Sequence, residues 1–238
     1  MIQDYFKKSK SPFYSFVITL PIFLIYELGI FLMRDTEFSY IKNGADVLIE
    51  NAISALGFDI FYVVSTLFLL IFLSIAYYQK KKYDSFKIYK SYLFIMLVES
   101  FFYALVLFFI LGSMSLYLMD SSVENMYFNL VLSLGAGIYE ELIFRVFSLY
   151  IFYQLMKFIF KSMSDFSSLF FALILSAILF SLFHLTGAET FTQYIFSNAF
   201  RVRFIAGILL GFLYINRGFG ITAITHSFYD IFVIFQLT

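Results

Sequence analysis

Residues 126–153 read MYFNLVLSLGAGIYEELIFRVFSLYIFY, and this run decides the fold class. It exceeds the roughly 20 mostly apolar residues that a helix needs to cross a hydrocarbon core about 30 Å thick. Three charged residues, Glu140, Glu141 and Arg145, lie in the middle of the run. The run therefore predicts a transmembrane helix that carries charged groups at membrane depth.

The composition of the whole chain also indicates a membrane protein. Of its 238 residues, 62% are hydrophobic and 13% are charged, against about 45–50% and about 25% in a soluble domain. The net charge is zero, which leaves no basic surface for nucleic acid. Cysteine is absent, which excludes disulfides, thiolate metal sites and cysteine nucleophiles. Any chemistry must come from carboxylates, histidines and hydroxyl groups.

Six further apolar runs predict membrane helices. We expect an all-α, polytopic bundle of seven transmembrane helices, or eight if residues 190–200 form a re-entrant element beside the short sixth span. We predict an interfacial helix within Tyr40–Phe58 from the spacing of its apolar residues. The seven predicted spans are Pro12–Met33, Ile60–Tyr78, Ser91–Met119, Met126–Tyr153, Ser167–Thr186, Arg203–Asn216 and Phe219–Leu237.

The chain has no low-complexity linker and no repeat of fixed period. We expect one integral membrane domain, residues 1–238, with N-terminal helices in 1–125 and catalytic helices in 126–238. For alternating spans, 11 basic residues fall on the face of the N-terminus and four on the opposite face. Because Lys and Arg collect on the cytoplasmic side, the distribution predicts a cytoplasmic N-terminus.

Eight ionisable side chains fall inside the predicted spans. Acids and Arg at the centre of a membrane helix each oppose insertion by about 2.5–3.5 kcal/mol, so packing alone does not explain them. For two of them, Glu27 and Glu99, we expect buried ion pairs that fix helix register. The other six are Glu140, Glu141, Arg145, His184, His226 and Asp230.

These six residues occur in three short motifs. Glu141 and Arg145 are four residues apart, about 40° round a helix, so we expect them to pair. Glu140 then points elsewhere, over the turn that contains the small residues Ala136 and Gly137.

Each of the two histidines has a partner one helical turn away. Phe180 and His184 share one face of the fifth span, and His226 and Asp230 share one face of the seventh. The Asp230 carboxylate could hold the His226 imidazole in one tautomer. Two histidines, both in apolar helices that also hold acids, predict a shared site.

The order EExxxR, FxxxH, HxxxD on three membrane helices resembles the CPBP family of intramembrane proteases. This family includes the eukaryotic CAAX prenyl proteases and the Abi-like bacterial proteins of bacteriocin processing and immunity. The resemblance covers residues 126–238 well and the first half of the chain only loosely. The last motif position is often Asn in the family and is Asp230 here. The resemblance implies a membrane-anchored protein or peptide as substrate and the lipid bilayer as surroundings, and we expect the plasma membrane of a bacterium.

The resemblance also implies roles for the motif residues. Glu140 and His184 would activate a water, Arg145 would hold the site together, and His226 and Asp230 would stabilise an oxyanion. Glu141, the partner of Arg145, belongs to the same candidate catalytic set. Phe180 would contact the substrate. An ionised Asp cannot donate a hydrogen bond, so Asp230 must either be protonated or only orient His226.

Two other readings of the same residues stay open. Glu140, His184 and His226 match the ligand set of a catalytic zinc, with Asp230 orienting a ligand, so a zinc-dependent protease is the alternative to a site without a cofactor. A non-catalytic immunity or scaffold protein, or a proton-coupled carrier, could carry a similar Glu and His chain. Loss of Glu140 should abolish catalysis but should be tolerated by a scaffold.

Overall fold

Nine helices have described bounds in this protein. The computed structural model describes residues 2–33, 42–55, 57, 66, 70–71, 73–75, 77–79, 81, 87–115, 126–185 and 190–237, and no strand occurs among them. The predicted all-α fold class is therefore confirmed for these residues. The helices are α1 (Ile2–Ser9), α2 (Pro12–Met33), α3 (Gly44–Ala55), α4 (Lys90–Ser115), α5 (Met126–Ile159), α6 (Asp165–Phe183), α7 (Phe191–Phe196), α8 (Asn198–Arg217) and α9 (Phe219–Leu237).

Five of these helices, α2, α4, α5, α6 and α8, are long and apolar enough to cross a membrane, and α9 is a shorter apolar helix. The chain is therefore an integral membrane protein. The predicted span Ile60–Tyr78 lies largely outside the described residues. The count of seven or eight transmembrane helices accordingly stays a prediction.

The sixth predicted span was too short. It was expected at Arg203–Asn216, but α8 begins at Asn198 and has 20 residues, enough to cross the bilayer. The helix starts earlier because the Ser197 side chain accepts a hydrogen bond from the Phe200 backbone N–H and so caps it. The preceding segment forms the separate short helix α7, which Thr190 and Gln193 cap reciprocally.

Helix α5 is longer than predicted and sets the depth of the site. Its 34 residues extend to Ile159, beyond the expected end at Tyr153, and span roughly 50 Å at 1.5 Å per residue. The next helix begins at Asp165 and runs antiparallel to it. Glu140 and His184 are each 19 residues from the ends of α5 and α6 that face this turn. The two side chains therefore lie at the same depth.

Helix α9 lies at the centre of the bundle, since it contacts α2, α4, α5 and α8. Its approach to α5 requires a glycine: a Cβ at Gly137 would overlap the Ser227 hydroxyl and the Ala223 carbonyl oxygen. Helix α8 packs closely on α6, where a Cβ at Gly207 would lie 3.0 Å from Ala177 Cα. These contacts bring α5, α6 and α9, which carry the three motifs, together with α8 around one space.

The two acids outside the motifs have different partners. Glu99 forms the expected buried ion pair, since Arg217 Nη2 donates to its Oε2 at 2.7 Å and Tyr5 and Tyr103 donate to it as well. Glu27 instead accepts a hydrogen bond from the Tyr139 hydroxyl at 2.6 Å, and no ion pair involves it among the described residues. A tyrosine hydroxyl satisfies this half-buried carboxyl without a cation.

The predicted interfacial helix is α3. It begins at Gly44 and buries Ala45, Asp46 and Ile53. Its acid Asp46 faces inward, where the Tyr26 hydroxyl donates to Oδ2 at 2.8 Å. Helix α3 also contacts the part of α5 that contains Glu140. The N-terminal half of the chain therefore reaches the motif residues through α3.

Candidate active site

The first motif lies where α5 departs from regular α-helical geometry. Residues Ala136–Glu140 and Leu142–Ser148 form π-helical turns, and the Ser148 hydroxyl donates to the carbonyl oxygen of Ile143, five residues earlier, at 2.8 Å. The Ser176 hydroxyl of α6 donates to the carbonyl oxygen of Phe144 in the same stretch. Such wide turns are frequent at functional sites because they redirect side chains.

Glu141 is the centre of a buried charged group. Its Oε2 lies 3.1 Å from Arg145 Nε, so the expected pair is present, with both side chains completely buried. Its Oε1 accepts from His226 Nδ1 at 2.8 Å. One carboxylate therefore bridges a guanidinium on its own helix and an imidazole on α9.

Glu140 faces the second histidine. Its Oε2 lies 3.7 Å from His184 Nε2, and the Glu140 side chain is 7% exposed. His184 Nδ1 donates to the carbonyl oxygen of Phe180 at 2.9 Å, which fixes the tautomer in which neutral Nε2 carries a lone pair. Glu140 Oε2 and His184 Nε2 are therefore two hydrogen-bond acceptors that face each other across one small space.

His226 and Asp230 lie together as expected, but a second carboxylate lies closer to the His226 ring. The two side chains do share a face of α9, but His226 Nε2 and Asp230 Oδ2 are 3.6 Å apart, beyond ordinary hydrogen-bond length. The shorter contact, at 2.8 Å, is between His226 Nδ1 and Glu141. The carboxylate that holds the His226 ring is therefore Glu141, and Asp230 lies on the opposite edge of the ring.

Phe180 packs among the charged groups. The Arg145 Cζ lies 4.4 Å from the centroid of its ring, and the ring meets His184 and His226 edge to face at centroid distances of 5.0 and 6.1 Å. Phe180 lines the cavity described below but is only 4% exposed. The ring therefore contacts both histidines and the guanidinium while one edge reaches the cavity.

A cavity of about 390 Å³ joins these side chains. Of the seven predicted site residues, Glu140, Phe180, His184, His226 and Asp230 line it, whereas Glu141 and Arg145 lie behind it. One wall is apolar, from Leu107 and Leu111 of α4 together with residues of α8 and α9. The remaining lining residues are Asn43, Asn129, Leu132, Ser133, Ala136, Val202, Arg203, Ala206, Leu210, Tyr229 and Val233.

The zinc alternative concerns the side chains of Glu140, His184 and His226. No group of three or more His, Asp or Glu side chains that could hold a metal ion occurs among the described residues. Both nitrogens of His226 already face carboxylates, Glu141 at 2.8 Å and Asp230 at 3.6 Å. The zinc alternative with Glu140, His184 and His226, and the site without a cofactor, both stay predictions.

Residues 122–232 match the family model described as type II CAAX prenyl endopeptidase Rce1-like. This part of the chain is Rce1-like. The match agrees with the resemblance that the three motifs carry, and it supports an intramembrane protease. Neither a curated protein nor a solved structure matches the chain.

All seven predicted site residues lie within the Rce1-like part, but one cavity residue that the sequence reasoning missed does not. Asn43 Nδ2 donates to Glu140 Oε1 at 3.0 Å. The only feature of the sequence that points to Asn43 is its place directly before the apolar pattern of α3, where an Asn is typical of a helix N-cap. That signal predicts a helix start but no contact with a residue 97 positions later.

Proposed function

We propose that this protein is an intramembrane endopeptidase that hydrolyses a peptide bond of a membrane-associated protein or peptide. The observation that supports this most directly is the distance of 3.7 Å between Glu140 Oε2 and His184 Nε2, at a cavity enclosed by apolar helices. A carboxylate and a neutral imidazole that face one point can together take a proton from water.

In the proposed reaction, a single water molecule donates two hydrogen bonds, one to Glu140 Oε2 and the other to His184 Nε2. Its oxygen attacks the peptide carbonyl carbon as a proton passes to Glu140. The carbonyl electrons move onto oxygen to give a tetrahedral intermediate. When that intermediate collapses, the C–N bond breaks and the proton held at Glu140 passes to the leaving amine nitrogen. The products are a new carboxylic acid and a new amine, which exchange a proton to give the carboxylate and the ammonium ion.

We assign the stabilisation of the oxyanion to His226 and Asp230. His226 Nε2 and Asp230 face each other at the cavity, and the Asp230 side chain is 27% exposed there. A protonated His226, or a protonated Asp230, can donate to the carbonyl oxygen as it gains charge. Glu141 supports this role, since it holds His226 Nδ1 and favours a positive imidazole.

Glu141 and Arg145 act as positioning residues in this proposal. Both are completely buried behind the cavity, so neither can touch a substrate there. Their charges hold α5 to α9 through His226, and Phe180 covers the guanidinium. Mutation of either should impair folding before it impairs chemistry.

The lining of the cavity suggests the substrate class. One wall carries the aliphatic side chains Leu107, Leu111 and Leu210, so an apolar substrate side chain should fit beside the reacting bond. Such a segment can enter from the lipid phase. We therefore propose a substrate anchored in or at the bilayer, with no nucleic acid involved.

The proposed mechanism uses no metal. Wild-type protein should retain cleavage after dialysis against a chelator, and elemental analysis should find less than stoichiometric zinc. Activity that is lost to the chelator and restored by zinc would favour the metal-dependent alternative.

The experiment that tests the proposed function is incubation of purified protein, in lipid vesicles, with a panel of membrane-anchored peptides. Wild type should cut at least one peptide, and Glu140→Gln should cut none while keeping its melting temperature. Asp165→Asn is the matched control, since it removes an 80% exposed carboxylate at the other end of α6 and should cut at the wild-type rate. Cleavage by Glu140→Gln at that rate would contradict the assignment.

A further inference from the structure

The proposed base has a polar neighbour from the other half of the chain. Asn43 Nδ2 donates to Glu140 Oε1 at 3.0 Å, while the other oxygen, Oε2, faces His184. Asn43 is 9% exposed and lines the cavity. It precedes α3 and lies outside residues 122–232, so the Rce1-like match does not include it.

Two hydrogen bonds besides the one to Glu140 fix the orientation of Asn43. The Ala45 backbone N–H donates to Asn43 Oδ1 at 2.9 Å, which caps α3. The Asn43 backbone N–H donates to the Tyr26 hydroxyl at 3.3 Å, and Tyr26 is completely buried. Because Oδ1 is held by α3, the NH₂ end of the amide is the end that faces Glu140.

An amide is well suited to this place. It donates to the carboxylate and so favours its charged form, but unlike an acid or an imidazole it cannot take up the proton that Glu140 receives. Its contact with Oε1 also holds the carboxylate plane, which leaves Oε2 directed toward His184. The arrangement keeps one oxygen of Glu140 for orientation and the other for proton transfer.

We propose that Asn43 is a positioning residue that keeps Glu140 ionised and turns Oε2 toward His184. This inference rests on the proposed function of Glu140. It makes α3, and with it Tyr26 of α2, part of the active site. The N-terminal half of the chain thereby completes a site whose motifs all lie in the C-terminal half.

Other charged groups surround Glu140 and bear on any pH dependence. Glu141 and Arg145 share its helix, and Asp46 lies on α3, where the Tyr26 hydroxyl donates to it. The groups that share the cavity with Glu140 are His184 after α6, Arg203 on α8, and His226 and Asp230 on α9. The test therefore changes Asn43 alone and leaves each of these groups in place.

The test follows the protonation of Glu140 directly. Infrared difference spectra between each protein and its Glu140→Gln counterpart isolate the carboxyl C=O band of Glu140, and the pH at which this band appears reports its protonation. A hydrogen bond to a charged group is worth enough to move this pH by about one unit. In Asn43→Ala the band should therefore appear about one pH unit higher than in wild type.

Two further variants distinguish this role from two other effects. One effect is the loss of the α3 cap, and the other is the loss of any amide from the cavity lining. Asn43→Ser keeps a capping oxygen for α3 but is too short to reach Glu140, so it should titrate like Asn43→Ala and melt near wild type. Asn129→Ala removes the other amide of the cavity, for which no bond to Glu140 is seen, and should move the band by less than a third as much. An unchanged Glu140 titration in folded Asn43→Ser would overturn the proposal.

Kinetics give a second readout of the same role. In Asn43→Ser the acid limb of the kcat profile should move up by about one pH unit, with KM within about twofold of wild type. A loss of kcat that is equal at every pH would instead make Asn43 a donor to the oxyanion and would overturn the proposal. Absence of cleavage by wild type would refute the proposed function, and the infrared titration would still decide the role of Asn43.

Discussion

Glu141 is the residue on which the charged groups of the site converge. The sequence predicts its pair with Arg145 because the two are one helical turn apart. It does not predict the bond to His226, which comes from a helix 85 residues later. A period of four along one helix shows which side chains share a face but not which neighbouring helix that face meets.

Arg145 should be structural. Its guanidinium is completely buried against Glu141 and the Phe180 ring. Arg145→Leu leaves a buried carboxylate without its cation, a change that typically costs about 3–5 kcal/mol. The melting temperature should fall on the order of 10 °C. Arg201→Leu, which removes an exposed arginine from the start of α8, should melt near wild type. A stable Arg145→Leu protein with selectively lost cleavage would place Arg145 in the chemistry.

Asp230→Asn should keep substantial activity and extend it to higher pH. Glu141 already holds the His226 ring at Nδ1, so Asp230 is not needed to orient it. As an oxyanion donor, Asp230 works only while protonated and loses this function as pH rises, whereas an Asn amide donates at any pH. The check is the pH profile of cleavage by both proteins. A loss of 100-fold or more at every pH, in folded protein, would show that the carboxylate itself is required.

At the scale of elements, the docking of α3 should depend on pH. Burial raises the pKa of Asp46 from 3.8 to about 6, against a lowering contribution from the Tyr26 hydrogen bond. The unfolded chain therefore releases this proton at lower pH than the folded protein. The protonated Asp46 carboxyl therefore contributes to the free energy of unfolding. This contribution is complete below about pH 4 and is lost as the pH rises through about 6, by at most about 3 kcal/mol.

Hydrogen exchange of the α3 amides measures this effect. Protection factors, corrected for the intrinsic pH dependence of exchange, should be higher at pH 4.5 than at pH 7.5 in wild type. Asp46→Asn should remove the difference because its amide does not titrate. Equal protection of α3 at both pH values in wild type would contradict the expectation.

The helices themselves were largely predictable, and the site only partly. Apolar runs of about 20 residues located α2, α4, α5, α6 and α9, since the bilayer imposes that length. The start of α8 was missed because its first turn contains Asn198 and Arg201, and capping by Ser197 outweighs their polarity. The π-helical turns and the contact of Asn43 with Glu140 depend on tertiary packing, which leaves no periodic signal in the sequence.

At the scale of the whole molecule, the cavity lies away from the N-terminus. Its lining residues come from the first half of α5 and α8, from the ends of α4, α6 and α9, and from the segment before α3. Helix α1 and the Glu99–Arg217 ion pair lie at the other end of the bundle. From the 11 to four distribution of basic residues, we predict a cytoplasmic N-terminus and a site in the outer half of the membrane.

Single cysteines test this orientation, since the chain has none of its own. Thr192→Cys on α7 and Gln3→Cys on α1 both replace exposed residues. In intact bacterial cells, a membrane-impermeant maleimide should label Thr192→Cys at once and Gln3→Cys only after permeabilisation. The reverse pattern would place the site in the cytoplasmic half.

The most direct test of the central claim is the mass of the products formed from a cleaved membrane-anchored peptide in ¹⁸O-labelled water. Hydrolysis by the wild type should give two fragments, with one ¹⁸O in the new carboxylate of the N-terminal fragment. Folded Glu140→Gln should give neither fragment, while Asp165→Asn should match wild type. Labelled fragments from Glu140→Gln at the wild-type rate would contradict the account.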